Sequence, residues 1–200
     1  PGRWVGGSAP ASLPDANVVL EGRLPGNRNA SWLVAGRRTY YDLVAERFVA
    51  ADLPGFQDLQ LNLSWPFGER SRLVLSGQQG RETGDAGGLD GPGEDWPSDR
   101  FHHRSRDELW AATLDLGLGR SLTSSTTLSS YDHPQESSHT AGLFPVDSPI
   151  RYERRLRIHD VALRQRFLLA AGDRRHVEAG FEVHRLDTGW NMHGLGELPA

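Results

Sequence analysis

The chain has 200 residues, of which only 37% are hydrophobic and 24% are charged, so a large core closed on both sides is not expected. No stretch approaches the ~20 apolar residues of a membrane-spanning helix. Cysteine and lysine are both absent, which excludes disulfide frameworks, thiolate zinc sites, cysteine nucleophiles and Schiff-base chemistry. The net charge of −4, with both signs interspersed, lacks the basic field that a nucleic-acid partner requires.

Apolar residues recur at every second position in most of the chain, which is the period of a strand with two unlike faces. In the clearest segment, Leu59–Trp65, the leucines and the tryptophan share one face, and Gln60, Asn62 and Ser64 share the other. Segment 121–131 is nearly all Ser and Thr and is predicted as a strand from its threonines and its neighbours. The predicted strands are 16–24, 29–41, 59–65, 71–80, 110–118, 121–131, 156–169 and 176–184.

Short and long connectors alternate between these strands. The short ones, at 25–28, 66–70, 119–120 and 170–175, suit tight hairpins. The long ones are predicted at 42–55, 81–106 and 132–151, with a fourth beginning near Thr188. Loops of that length are uncommon in compact soluble domains. Short turns on one rim and long loops on the other are typical of an outer-membrane barrel.

The alternation then indicates an apolar face toward lipid and a polar face toward a watery lumen, which also explains the low hydrophobic content. Trp32 and Trp65 are expected in an aromatic girdle at one interface, and Trp110 and Tyr41 at the other. An arginine facing lipid near the midplane costs roughly 2–4 kcal/mol, so the charged positions must face inward. The predicted lumen-facing residues are Asn62, Asp115, Asp160, Arg164, Arg166, Glu178 and Glu182.

The fold class expected is therefore all-β, an antiparallel up-and-down meander of about eight strands that forms part of a larger transmembrane β-barrel. Two alternatives remain open on the pattern alone. A soluble all-β binding module would bury Leu61, Leu63, Leu114 and Phe181 under a second layer. A self-contained eight-stranded barrel would join the strand near Val18 to the strand near Phe181.

Residues 20–26 and 31–42 resemble the first barrel hairpin of TonB-dependent outer-membrane receptors, and 54–60 and 72–77 resemble the next. The resemblance implies a 22-stranded barrel, closed by an N-terminal plug domain that couples to TonB and takes up siderophores, cobalamin, sugars or peptides. Neither a plug nor a coupling segment is recognisable in residues 1–200, which are expected to be a partial barrel within a longer protein of the bacterial outer membrane. Membrane lipid, TonB through that plug and a small nutrient are the expected partners.

Aromatic and histidine residues in or beside the predicted outer loops are the candidates for ligand contact, because aromatic faces can stack on a ligand. They are Tyr40, Trp96, His102, His103, Tyr131 and His133. His102 and His103 are adjacent in an extended segment, so their side chains are expected on opposite sides and no shared metal is expected. The acidic stretch 84–99 fits no known calcium loop. No catalytic motif is recognised, so neither an enzyme nor a cofactor is expected.

Overall fold

The computed structural model describes residues 5–9, 15–39, 54–87, 100–143, 146–171 and 175–196. Across these ranges the chain forms one sheet of nine antiparallel strands, each paired with its neighbours in sequence. The strands are β1 (Val5–Ser8), β2 (Asp15–Leu24), β3 (Asn27–Thr39), β4 (Gly55–Phe67), β5 (Ser71–Gly87), β6 (Arg100–Leu118), β7 (Leu122–Leu143), β8 (Val146–Ala170) and β9 (His176–Gly196). The prediction of an all-β antiparallel meander is confirmed, with β1 as an additional strand.

Tight turns join β2 to β3, β4 to β5 and β6 to β7, as the sequence predicts. Gly26, Gly68 and Gly119 have φ values of 84°, 68° and 79° in these turns. This is the left-handed region, which only glycine enters without steric cost. The Arg70 guanidinium also donates hydrogen bonds to the carbonyl oxygens of Gly119 (2.9 Å) and Arg120 (2.6 Å), which ties two neighbouring turns together.

The predicted long connectors at 81–106, at 132–151 and beyond Thr188 are wrong for most of their length. β5 continues to Gly87, and β6 begins at Arg100. β7 continues to Leu143, and β8 begins at Val146. β9 runs through Thr188 to Gly196. These extensions carry polar residues on both faces, so they have no apolar alternation to mark them, and backbone pairing alone keeps them extended. The predicted connector 42–55 lies almost entirely outside the described residues.

The register places every second side chain on the same face across the whole sheet. We call the side that carries Leu63 the apolar face, and the side that carries Asn62 the polar face. One row of directly paired residues on the apolar face has no polar member from β2 to β9: Gly22, Trp32, Leu63, Leu75, Ala112, Leu128, Leu163 and Val183. All seven residues predicted to face a lumen share the polar face, because they alternate with this row.

No second layer of the described chain covers the apolar face. Among the described residues only two hydrophobic side chains are buried, Ala30 and Ala162, and Phe181 is 55% exposed. The described residues therefore do not include a core that contains Phe181. Helices long and apolar enough to cross a bilayer are absent from the described ranges.

The apolar residues of this face form a band that descends across the sheet, which we call the apolar band. On β4 its uppermost residue is Leu59, and the row through Leu59 reaches Asp187 on β9. On β9 the band stops at Val183, four residues lower. From β5 to β9 the row through Leu59 contains only polar residues: Gln79, Glu108, Asp132, His159 and Asp187. The upper limit therefore drops by about four residues over five strand steps.

Both outer strands are edges of the sheet. β1 pairs with β2 and β9 pairs with β8, and the described residues include no pairing between β2 or β1 and β9. The contact between the Val18 strand and the Phe181 strand, which a self-contained eight-stranded barrel requires, is thus not present among them. Every residue from 175 to 194 is exposed, which leaves one side of β9 free along its length.

A tryptophan fills the gap that a glycine leaves within the apolar band. Trp110 on β6 lies directly across from Gly77 on β5. A Cβ atom built on Gly77 would lie 2.4 Å from Cζ3 of the indole, so the ring rests on the glycine backbone. This arrangement shields the backbone while the outer ring surface of Trp110 remains 53% exposed.

We expect Gly77→Ala to lower the free energy of unfolding of the full-length protein by about 1–3 kcal/mol, because the new methyl group overlaps the Trp110 ring. Urea unfolding measures the change. Gly36→Ala is the matched control on the same face, since its nearest neighbour would be 3.8 Å away. In the background of Trp110→Ala the cost of Gly77→Ala should vanish. Equal costs at positions 77 and 36 would contradict the overlap.

Candidate ligand site on the polar face

Behind the apolar band, the polar face pairs its charges across neighbouring strands. Arg72 on β5 donates to Asp115 on β6 at 2.9 Å, and Ser125 on β7 donates to the other oxygen of the same carboxylate at 2.7 Å. Arg164 donates to Glu182 at 2.8 Å, between β8 and β9. These contacts arise because the register sets the partners directly or diagonally opposite one another.

The same ladder continues with a looser pair. Arg166 lies 3.7 Å from Glu178, and both side chains are more than half exposed. Arg164 and Arg166 of β8 thus pair with Glu182 and Glu178 of β9. Exposed pairs of this kind stabilise a fold by about 0–1 kcal/mol each, so their main effect is to neutralise charge on this face.

Further along the strands, histidines join the network. His184 lies 2.9 Å from Asp160 through Nδ1 and 3.2 Å from Glu182 through Nε2. Asp107 accepts from the Tyr131 hydroxyl at 2.7 Å and lies 2.7 Å from His133 Nδ1. The rings of Tyr131 and His133 are parallel, with centroids 6.2 Å apart. The Asp107 carboxylate thus contacts both Tyr131 and His133, whose rings lie parallel to each other.

Beyond the level of the apolar band, the polar face carries an aromatic surface. Phe101 stacks on His103, with centroids 6.2 Å apart and planes 6° from parallel, and meets the edge of His139 at 6.5 Å. Tyr152 lies directly across from His139 in the register. We call the following set the aromatic–histidine cluster: Phe101, His103, His139, Tyr152 and Met192.

The cluster lines an open pocket of about 600 Å³, together with Gln135, Ser137 and Arg154. Phe101, Tyr152 and Met192 are 45%, 41% and 50% exposed, so their apolar surfaces are available to a ligand. Rings that are already fixed by neighbours lose little entropy when they stack on a flat molecule. Imidazole, amide and guanidinium groups around them supply hydrogen-bond donors. This surface can bind a planar polar molecule without any covalent step.

The structure does not bring all of the predicted ligand residues together. His103 belongs to the aromatic–histidine cluster, and Tyr131 and His133 form their own group around Asp107. His102 points to the opposite, apolar face, where it contacts Asp85. His102, His103 and His133 lie in strands and not in the predicted loops, whereas Tyr131 lies in a strand as predicted. Tyr40 and Trp96 lie outside the described residues.

Four members of the cluster were not among the predicted ligand residues: Phe101, His139, Tyr152 and Met192. Phe101, Tyr152 and Met192 come from three strands whose partners the sequence does not specify. The only sequence signal was the local spacing of Phe101 and His103, two positions apart and thus on one face of an extended chain. No group of three or more His, Asp or Glu side chains able to hold a metal ion occurs in the described part of the chain.

Comparison with known proteins gives no match: no family model, no curated protein and no solved structure is significantly similar to this chain.

Proposed function

We propose that this chain is part of the wall of an outer-membrane receptor barrel of the TonB-dependent kind, which takes up a scarce nutrient. In this proposal the apolar face meets lipid and the polar face lines the lumen. The observation that carries the proposal is the descent of the apolar band across the sheet. A planar bilayer must produce such a descent when it cuts through strands that are tilted.

The slope of the band has the size that a barrel requires. Four residues of about 3.3 Å over five spacings of about 4.8 Å correspond to a strand tilt of about 30°. Strands of transmembrane barrels tilt by about 35–45°. On β6 the band runs from Trp110 to Leu118, about 26 Å along the strand and about 23 Å along the membrane normal at that tilt. The apolar belt of known barrels is about 25 Å tall.

The area of the band argues against water as its surroundings. From β2 to β9 it covers on the order of 900 Å² of sheet. Monomeric soluble proteins rarely expose contiguous apolar patches larger than a few hundred Å². Tyr and Trp are frequent at the interface between the hydrocarbon and the head groups of a membrane. Trp110 lies at the upper limit of the band.

The open edges support membership of a larger barrel. In hydrocarbon each unpaired backbone group costs several kcal/mol, so the free side of β9 must meet another strand. Receptors of the TonB-dependent kind, which residues 20–80 resemble, close their wall with 22 strands. The strands described here would form somewhat less than half of such a wall. The TonB contact itself would belong to a plug domain, and nothing in the described sheet takes that role.

The aromatic–histidine cluster lies on the lumen side and above the band, on the part of the wall that would extend outside the membrane. A nutrient arriving from outside would meet it before the charged ladder of the lumen. We therefore assign ligand capture to this cluster, and gated passage without covalent chemistry to the barrel as a whole.

We expect Leu63→Arg to reduce sharply the amount of full-length protein in the outer membrane. Leu63 lies in the row that is apolar on every strand, where a lipid-facing arginine costs roughly 2–4 kcal/mol. Asn62→Arg is the matched control one residue away, and its side chain would point into water. Immunoblots of membrane fractions compare the two variants. Equal amounts of both would reject the assignment of faces.

We expect two residues of one row to differ in their surroundings. Leu59 and Asp187 share a row, but the band includes only Leu59. Single cysteines can be introduced without background at these positions within this chain, since its 200 residues contain none. A spin label at Leu59→Cys should be relaxed by oxygen, which concentrates in lipid, and a label at Asp187→Cys by a water-soluble nickel chelate. Identical accessibility at both positions would contradict the tilted band.

We expect Phe101→Ala to weaken ligand binding by about tenfold, the effect of losing roughly 1–1.5 kcal/mol of aromatic contact. Cells that express the full-length protein would be screened with labelled ferric siderophores and cobalamin. Leu186→Ala is the control, because Leu186 is an exposed apolar residue on the same face at the level of Asp160. If Phe101→Ala and Leu186→Ala weaken binding equally, the ligand does not bind at the cluster. If none of the probes binds, this choice of nutrients is contradicted.

A further inference from the structure

We propose that a pocket on the apolar face, between β2 and β5, binds the phosphate of an anionic lipid head group. The inference rests on the proposed function, because that function places this face against the membrane. The pocket has a volume of about 540 Å³ and lies across the upper limit of the apolar band. Its lower row is apolar except for Gln79, and its upper row is polar except for Ala16.

The register explains this division. Val18, Gly36 and Leu59 are paired in one row and form the lower half of the pocket. The next row upward contains Arg38, Gln57 and Arg81. An acyl chain against Val18 and Leu59 would therefore bring its phosphate to the level of the two guanidinium groups. This is the depth at which head groups follow the hydrocarbon.

The charge of Arg81 is not neutralised within the described part of the chain. Arg81 is exposed and has no hydrogen bond or ion pair there. Its direct cross-strand neighbour is Arg106, which is paired with Glu108. Two like charges opposite each other destabilise a sheet unless an anion joins them. Glu108 is engaged by Arg106 and Gln79, so within the described residues the charge of Arg81 is left for an external anion.

Asp58 is the carboxylate among the residues that line the pocket, and it lies on the polar face. Arg37 is the neighbour of Arg38 but points to the other side, where it binds Asp58 at 2.7 Å. The carboxylate of Asp58 is thus already engaged, although it borders the pocket. A guanidinium group fits two phosphate oxygens at once, and Gln57 adds an amide group beside it. A soluble phosphate would use only this upper half, whereas a lipid would use both.

The test is a titration of the full-length protein, purified in neutral detergent, with phosphatidylglycerol, followed by native mass spectrometry. Arg81→Gln should weaken binding of this lipid by about fivefold, the effect of about 1 kcal/mol for one arginine near an anionic surface. Arg23→Gln is the matched control, because Arg23 is an exposed arginine of the polar face. Phosphatidylcholine should bind the parent protein and Arg81→Gln alike.

Equal affinity of the parent protein and Arg81→Gln for phosphatidylglycerol would overturn the inference. Inorganic phosphate that displaced the lipid at equal concentration would also overturn it, and would indicate a soluble anion as the ligand. The comparison of Leu63→Arg with Asn62→Arg separates these results from failure of the proposed function. If those two variants differ in membrane insertion as expected and Arg81→Gln has no effect, only the lipid site is wrong.

Discussion

A sheet that is one layer thick cannot bury its own apolar face, and this constraint governs the rest of the structure. Backbone pairing satisfies the polar groups between β2 and β9, but Leu63, Leu75, Leu128 and Leu163 lie in one row with no other part of the described chain above them. The hydrophobic effect therefore gives this arrangement stability only when another apolar phase covers the face. In the proposed membrane location a bilayer would cover the whole band, and a flat bilayer would cross tilted strands obliquely, as the band does.

The sequence predicted the part of the fold in which the two faces meet different surroundings. In Leu59–Trp65 every second residue is apolar, and the strand, its face and its hairpin follow directly. Around Arg154 and Arg155 both faces meet water, so the alternation disappears although the strand continues. Periodicity detects a contrast between two environments and not extended structure as such. For this reason the parts of β6 to β9 beyond the band were predicted as loops.

The sequence allows prediction of the candidate site only for residues that belong to the same strand. The period of two correctly separates His102 from His103 and places Tyr131 with His133. The meeting of Phe101, His139 and Tyr152 depends instead on the registers of β6 with β7 and of β7 with β8. Those registers are set by pairing along more than a dozen residues, and no local pattern specifies them.

The distribution of charge distinguishes the polar face behind the apolar band from the aromatic–histidine cluster above it. Because Arg72, Arg164 and Arg166 are paired with carboxylates on the polar face, the wall behind the apolar band carries little net field. A neutralised wall neither attracts nor repels a charged nutrient strongly over distance, since paired charges cancel within a few ångström. In the proposed receptor, selection between nutrients would then depend on short-range contacts. On this wall such contacts are offered by the flat rings above the band, where Tyr152 and Phe101 combine shape with exposed apolar surface.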